Sequence, residues 1–350
     1  MALVEGSLSF ETLPERIEDD AALEELLSRP PRALIDDLAR LEGDIIVLGV
    51  AGKVGPTLAR LAKRAAPRKR VVGVARFSSP AVRQRIESWG VETQVCDLLD
   101  REAVARLPKL PNVIYMAGRK FGTNEDPSLS WAINTYVPAV VAAEFRHSRI
   151  VVLSTLCVYP FGPVLHQGWD ESVPPVPAGE YANSCVGRER AFQYGSHKWG
   201  TPGRLIRLNY AIDMRYGVLL DIGRWVMRGE PIPLHTGHAN LIWQGDANSQ
   251  ILRALLQCTA PTTPLNVGGP ELASVRAIAE QFGWRLGKKP VYEGVEQEYA
   301  WVNNTFQAQR LFGYPVVPLA KMIDWVADWI VRAMPVYDKP THYEVRDGLF

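Results

Sequence analysis

The 350-residue chain has only four cysteines, Cys96, Cys157, Cys185 and Cys258, set far apart with no metal-ligand spacing. That usage argues against a disulfide framework or a cysteine metal site and fits reduced thiols in a cytosol. No uninterrupted apolar run reaches the length that spans a bilayer. The opening Met-Ala-Leu-Val-Glu-Gly lacks a basic stretch and an apolar core, so no signal peptide is expected. Neither sign of charge is in excess, since 39 Lys and Arg against 38 Asp and Glu leave +1. Such a balance creates no long-range field toward nucleic acid or an anionic membrane. A soluble, cytoplasmic protein without metal, nucleic-acid or membrane partners is expected.

What the chain does have is one organising stretch, Asp44 to Arg60. Ile45 to Leu48 run without polar alternation, as in a parallel strand buried on both faces. Glycines then recur as G-x-x-G-x-x-G (Gly49, Gly52, Gly55), and an apolar-periodic helix follows through Leu58, Leu61 and Ala65. Strand, glycine turn and helix make a cradle for a dinucleotide. Gly49 permits the turn, Gly52 the approach of a pyrophosphate, and Gly55 close helix packing, with Lys53 and Val54 between them.

The order of later segments extends this pattern. Val71–Arg76, Val91–Cys96, Asn112–Met116, Arg149–Leu153 and Gly203–Leu208 read as further strands. Ala117-Gly118, Ser154-Thr155-Leu156-Cys157-Val158-Tyr159, a helix opening at Tyr181, Asn209-Tyr210-Ala211 and Leu241–Asp246 punctuate them. With the glycine spacing, residues 44–335 resemble the extended short-chain dehydrogenase/reductases, the NAD(P)-dependent epimerase/dehydratase family.

The resemblance implies an α/β fold, a Rossmann-type doubly wound parallel sheet with a smaller discontinuous α/β substrate domain. The expected division is 44–204 plus 241–262 for the dinucleotide domain and 205–240 plus 263–335 for the substrate domain. Residues 1–43 read as a helical arm and 336–350 as a polar tail with aromatic anchors. A homodimer is implied, with apolar faces on helices 103–107 and 128–145.

By position, the resemblance also implies roles for single residues. Asp97, with Leu98 beside it, reaches the adenine, unless Asp97 only caps the next helix. Ala117 and Gly118, following Met116, press on the adenine ribose, Asn134 steadies the site from behind, and Ser154 and the backbone at Asn209 line the nicotinamide end. Thr155 offers a hydroxyl to the reacting oxygen, and Tyr181, also against the cofactor, is the acid/base. At the end of the second strand Ala75 replaces the acid that would bind a ribose 2′-hydroxyl, and Arg76 follows. An arginine pairs with a 2′-phosphate, so NAD(P) is the expected cofactor, leaning to NADP, unless Arg76 merely stacks over the adenine.

Two departures bear on chemistry. The family's Y-x-x-x-K here reads Tyr181-Ala182-Asn183-Ser184-Cys185, with Cys185 at the lysine position. A tyrosine near its reference value of about 10 is ionised only about one part in a thousand at pH 7. Neutral Tyr181 still donates a proton, so carbonyl reduction suffers less than alcohol oxidation. Arg188, on the same helical face, is the first candidate for a substitute cation. The second departure is the lack of any Arg or Lys between Gly229 and Arg253, where family members acting on nucleotide sugars place a cation for the diphosphate. A smaller carbohydrate or sugar acid is therefore expected, with His235 and His238 in reach or merely exposed. The expected function is an NAD(P)-dependent oxidoreductase, epimerase or dehydratase. The alternative is a dinucleotide-binding, non-catalytic homologue serving as a sensor or assembly subunit.

Overall fold

A computed structural model describes residues 6–337, 339 and 341–348. Seven parallel strands form the central sheet: β1 Ile45–Leu48, β2 Val71–Ala75, β3 Glu92–Val95, β4 Asn112–Tyr115, β5 Arg149–Thr155, β6 Gly203–Leu208 and β7 Thr263–Val267. Their order is β7-β6-β5-β4-β1-β2-β3, so the chain reverses direction between β1 and β4. That reversal opens a crevice at the carboxyl ends of the strands, where ligands bind in such sheets.

The unbroken apolar run of β1 has a two-sided use. Ile45 and Val47 enter one apolar cluster, while Ile46 and Leu48 enter the cluster on the opposite face. The fold is thus the doubly wound α/β sheet that the sequence implies. Its extent differs from the expected division, because residues 205–208 and 263–267 belong to the central sheet. Leu241–Trp243 does not rejoin that sheet either. It pairs in parallel with Tyr210–Ile212, and the helix Gln244–Arg253 then returns to the half built on the central sheet. There Gln244 and Asn248 both donate to the Thr57 hydroxyl, at 3.1 and 3.3 Å.

A separate apolar core holds the smaller part, built from helices Val218–Arg228, Val275–Leu286 and Leu319–Val331. The N-terminal arm packs on the body of its own chain. Leu23, Leu26 and Leu27 enter this smaller core, whereas Leu34, Leu38 and Leu41 enter a cluster on the central sheet. Arm ion pairs reach both parts, from Glu25 to Arg64 at 2.7 Å and from Glu24 to Arg215 at 3.4 Å. No helix among the described residues is long and apolar enough to cross a membrane.

Candidate functional site

A groove of about 510 Å³ lies at the carboxyl ends of β1, β2 and β4. It brings together Gly49, Gly52, Arg76, Asp97, Leu98, Met116, Ala117 and Gly118 from four separate segments. Gly49 has φ +91°, and a Cβ there would lie 2.6 Å from the Ala117 nitrogen, so the turn requires glycine. Gly55 has a different task. A Cβ on it would sit 2.2 Å from the Val50 carbonyl, so its bareness serves helix packing behind the groove. Gly52 lacks such a constraint, because the nearest atom to a Cβ there is 3.6 Å away. Its open face lies beside the N-terminus of the helix that begins at Gly55.

Asp97 does not cap the following helix. Asp100 does, accepting from the Ala103 nitrogen at 3.0 Å, while Asp97 accepts from Leu99 and lines the groove. Lys53 leaves the cradle, placing its ammonium 3.1 Å from the Tyr216 ring centre. Burial, with Lys339 and Lys120 nearby, lowers its pKa to about 8. Val54 forms the helix N-cap position. Residues that sequence reading passed over also line the groove, among them Ala51, Ser78, Lys120, Phe121, Ile133 and Val137. Proximity to Gly52, Arg76 and Gly118 was the available signal for four of them; Ile133 and Val137 had only helical spacing.

At the end of β5 the structure gathers Thr155, Tyr181 and Cys185. The Thr155 hydroxyl lies close enough to the Tyr181 phenol to lower its pKa and accepts from the Cys157 nitrogen at 3.2 Å. Tyr181 comes from the first turn of helix Gly179–Trp199, with Cys185 one turn later on the same helix and in one cluster with it. Burial, then the neighbouring Cys185 and Cys157, holds the phenol well above the usual tyrosine range, while Arg188 and Thr155 pull the other way. Cys185 is fully buried against Val158 and Tyr159, and burial raises its thiol pKa.

Arg188 stands directly behind Gly118. A Cβ on that glycine would come 2.6 Å from its Nη2. The guanidinium donates to the Leu153 carbonyl and to Asn134 Oδ1, both at 2.8 Å. Burial opposes its charge, but Cys185, Tyr115 and Tyr181 outweigh that and hold its pKa above the ordinary value. Asn134 sits in a π-helical turn, Ala132–Tyr136. Besides Arg188, it binds both backbone groups of Arg119 and donates to the Ser184 hydroxyl at 2.9 Å. One amide therefore ties the loop after β4 to the helix of Tyr181.

The side chains of Ser154 and Asn209 are engaged within the fold, which leaves only backbone for a cofactor at Asn209, as expected there. Ser154 donates to Glu189 at 2.7 Å, within a buried ion pair between Glu189 and Arg207. Asn209 donates to Asn303 and Asn240 and accepts from the Tyr210 nitrogen, so its amide is used up inside the fold. His235 is held by the Glu344 carbonyl at 3.0 Å, and burial lowers the pKa of His238. No group of three or more His, Cys, Asp or Glu that could hold a metal ion occurs among the described residues.

Residues 45–210 match the model of the NAD dependent epimerase/dehydratase family. No curated protein sequence matches the chain. Solved structures of the same fold include the UDP-glucose 4-epimerase of Thermus thermophilus in complex with NAD. It is 20% identical with TM-score 0.66, covering 83% of this chain and 100% of that one. The UDP-glucuronic acid 4-epimerase of Bacillus cereus is 18% identical with TM-score 0.66, covering 83% and 99%. The UDP-glucose 4-epimerase of Thermotoga maritima is 16% identical with TM-score 0.67, covering 83% and 99%. Residues 45–210 are thus similar to the NAD dependent epimerase/dehydratase family, and the chain shares with the solved structures a Rossmann-type sheet.

Proposed function

We propose that the protein is an NAD(P)-dependent oxidoreductase, epimerase or dehydratase acting on a carbohydrate or sugar acid, with Tyr181 as proton donor. The observation that carries this reading is the meeting of Thr155 and Tyr181 at the end of β5, on the helix whose Arg188 backs Gly118 in the groove wall.

The groove suits a dinucleotide: Gly49 admits no side chain, Gly52 is bare toward the helix N-terminus, and Asp97 offers a carboxylate. Gly49, Gly52 and Met116–Gly118 would hold it, and Arg76 favours a 2′-phosphate, hence NADP. When bound, a nicotinamide supplies hydride exchange. The chain supplies the proton and the positioning. The Thr155 hydroxyl orients the substrate oxygen, and neutral Tyr181 donates its proton to that oxygen as charge develops. Arg188, fixed by Leu153 and Asn134, is a positive charge from which the ionised phenol then gains.

A second reading, binding without turnover, is favoured by Cys185, which leaves the family's lysine position without a cation. Cofactor oxidation by the purified protein, with NADPH and NADH against a panel of sugar acids and free sugars, separates the two. Substrate-dependent oxidation is expected. Cofactor binding with no turnover on any member of the panel would favour the second reading.

A further inference from the structure

The described part of the C-terminal tail lies across the cleft between the two halves. Thr341 anchors it to the smaller part, its nitrogen and hydroxyl both donating to Asp221 Oδ2, at 2.9 and 2.6 Å. The next residues cross toward the cofactor half. Lys120 of the groove wall reaches the Thr341 carbonyl at 3.4 Å, and His342 lies 6.3 Å from the Phe121 ring. Tyr343 is buried against Trp225. Glu344 offers its carbonyl to His235 and Thr236, and Arg346 donates to the carbonyls of His235 and Tyr299, both at 2.8 Å. Gly348 ends against Gly179, where a Cβ would meet its carbonyl at 2.5 Å, at the start of the Tyr181 helix.

The strap also reaches the wall of the reaction centre. Trp301 donates from its indole to the Val345 carbonyl at 2.9 Å. That indole packs in one cluster with Leu156, Cys157 and Tyr181. His235 and Thr236, at the start of the segment that lacks a cation of its own, are therefore held by the protein's own tail. The strap moreover brings in a carboxylate, Glu344, whose charge acts on Asp221 and Lys120. A cleft already occupied by the strap opposes a bulky nucleotide diphosphate on steric grounds.

We infer that the tail residues Thr341–Arg346 determine substrate class, closing the cleft over Tyr181 so that it takes a compact carbohydrate and rejects nucleotide diphosphate sugars. This rests on the reading of Tyr181 as the reaction centre. The occupant of the cleft is the segment itself, fixed by its own hydrogen bonds to both halves.

The test compares three chains: the full protein, a chain ending at Pro335, and a Thr341→Val, Arg346→Ala double variant that keeps the apolar packing. The double variant decides the matter if the shortened chain does not fold. NADPH binding by fluorescence is expected in all three, and its loss from the full protein would count against the proposed function alone. UDP-glucose is the probe for the cleft, followed by saturation-transfer NMR and calorimetry. At least tenfold tighter UDP-glucose binding is expected once the strap is removed or loosened. The same UDP-glucose response in all three chains, whether binding or none, would overturn the inference.

Discussion

Arg188 Nη2 donates to Asn134 Oδ1 at 2.8 Å, and both lie behind the Cα of Gly118 in the wall of the groove. A cation from one turn further along the helix thus stands close to a site whose expected lysine is Cys185. Arg188→Met is expected to leave the Leu153 carbonyl and the Asn134 oxygen without that donor, a loss of about 2–4 kcal/mol of stability by denaturant titration. Arg188→Lys keeps the charge but not the fork, and should recover part of that loss. If the charge also acts on Tyr181, the pH profile of alcohol oxidation moves upward in Arg188→Met and returns toward wild type in Arg188→Lys.

The three glycines of the cradle separate fold from binding. Gly55→Ala forces a Cβ into the Val50 carbonyl and should cost roughly 2 kcal/mol or more in stability. Gly52→Val meets no comparable obstacle in the protein, so its melting temperature should stay near that of wild type while NAD(P) binding is lost by calorimetry. Unchanged binding in Gly52→Val would place the pyrophosphate elsewhere.

Arg76→Ala tests cofactor choice. NADP binding should weaken by about 1–3 kcal/mol, as for a lost charge-assisted hydrogen bond, with NAD binding nearly unchanged. Equal losses for both cofactors would mean that Arg76 only stacks on the adenine.

Asp246 makes stability depend on pH. It is buried, accepts from the Val317 nitrogen at 2.9 Å, and burial raises its pKa to about 6. The folded state thus favours the protonated acid, so its contribution is full below the unfolded value and is lost as pH rises through about 6. Asp246→Asn should remove this slope, gaining up to about 3 kcal/mol relative to wild type at pH 7. Parallel stability–pH curves for the two proteins between pH 4 and 7 would contradict the assignment.

The parts of the site that sequence made legible are those whose partners are local. Gly49, Gly52, Arg76, Asp97 and Met116–Gly118 each lie within a few residues after a strand, and strand ends converge on the reversal between β1 and β4. Ser154 and Asn209 also close strands, yet their side chains are claimed by Glu189 and Asn303, which lie 35 and 94 positions away. No local pattern announces such competition. The strap was hidden for the same reason, since Thr341 finds Asp221 across 120 positions. A polar tail with aromatic anchors was readable; what the anchors hold was not. Cys185 was plain in the sequence, but its packing was not. It fills a closed apolar cluster with Val158 and Tyr159, so Cys185→Lys would overpack that cluster rather than simply restore a cation.

The pH–rate profiles of both reaction directions, in wild type and Tyr181→Phe, bear most directly on Tyr181 as a neutral proton donor. With its pKa held well above the usual range, carbonyl reduction should be flat through neutral pH, and alcohol oxidation should climb steadily with pH. Tyr181→Phe should lower both by about 10²–10⁴-fold, the usual contribution of a positioned acid or base. An oxidation profile already level above pH 6, or a Tyr181→Phe protein as active as wild type, would contradict this role.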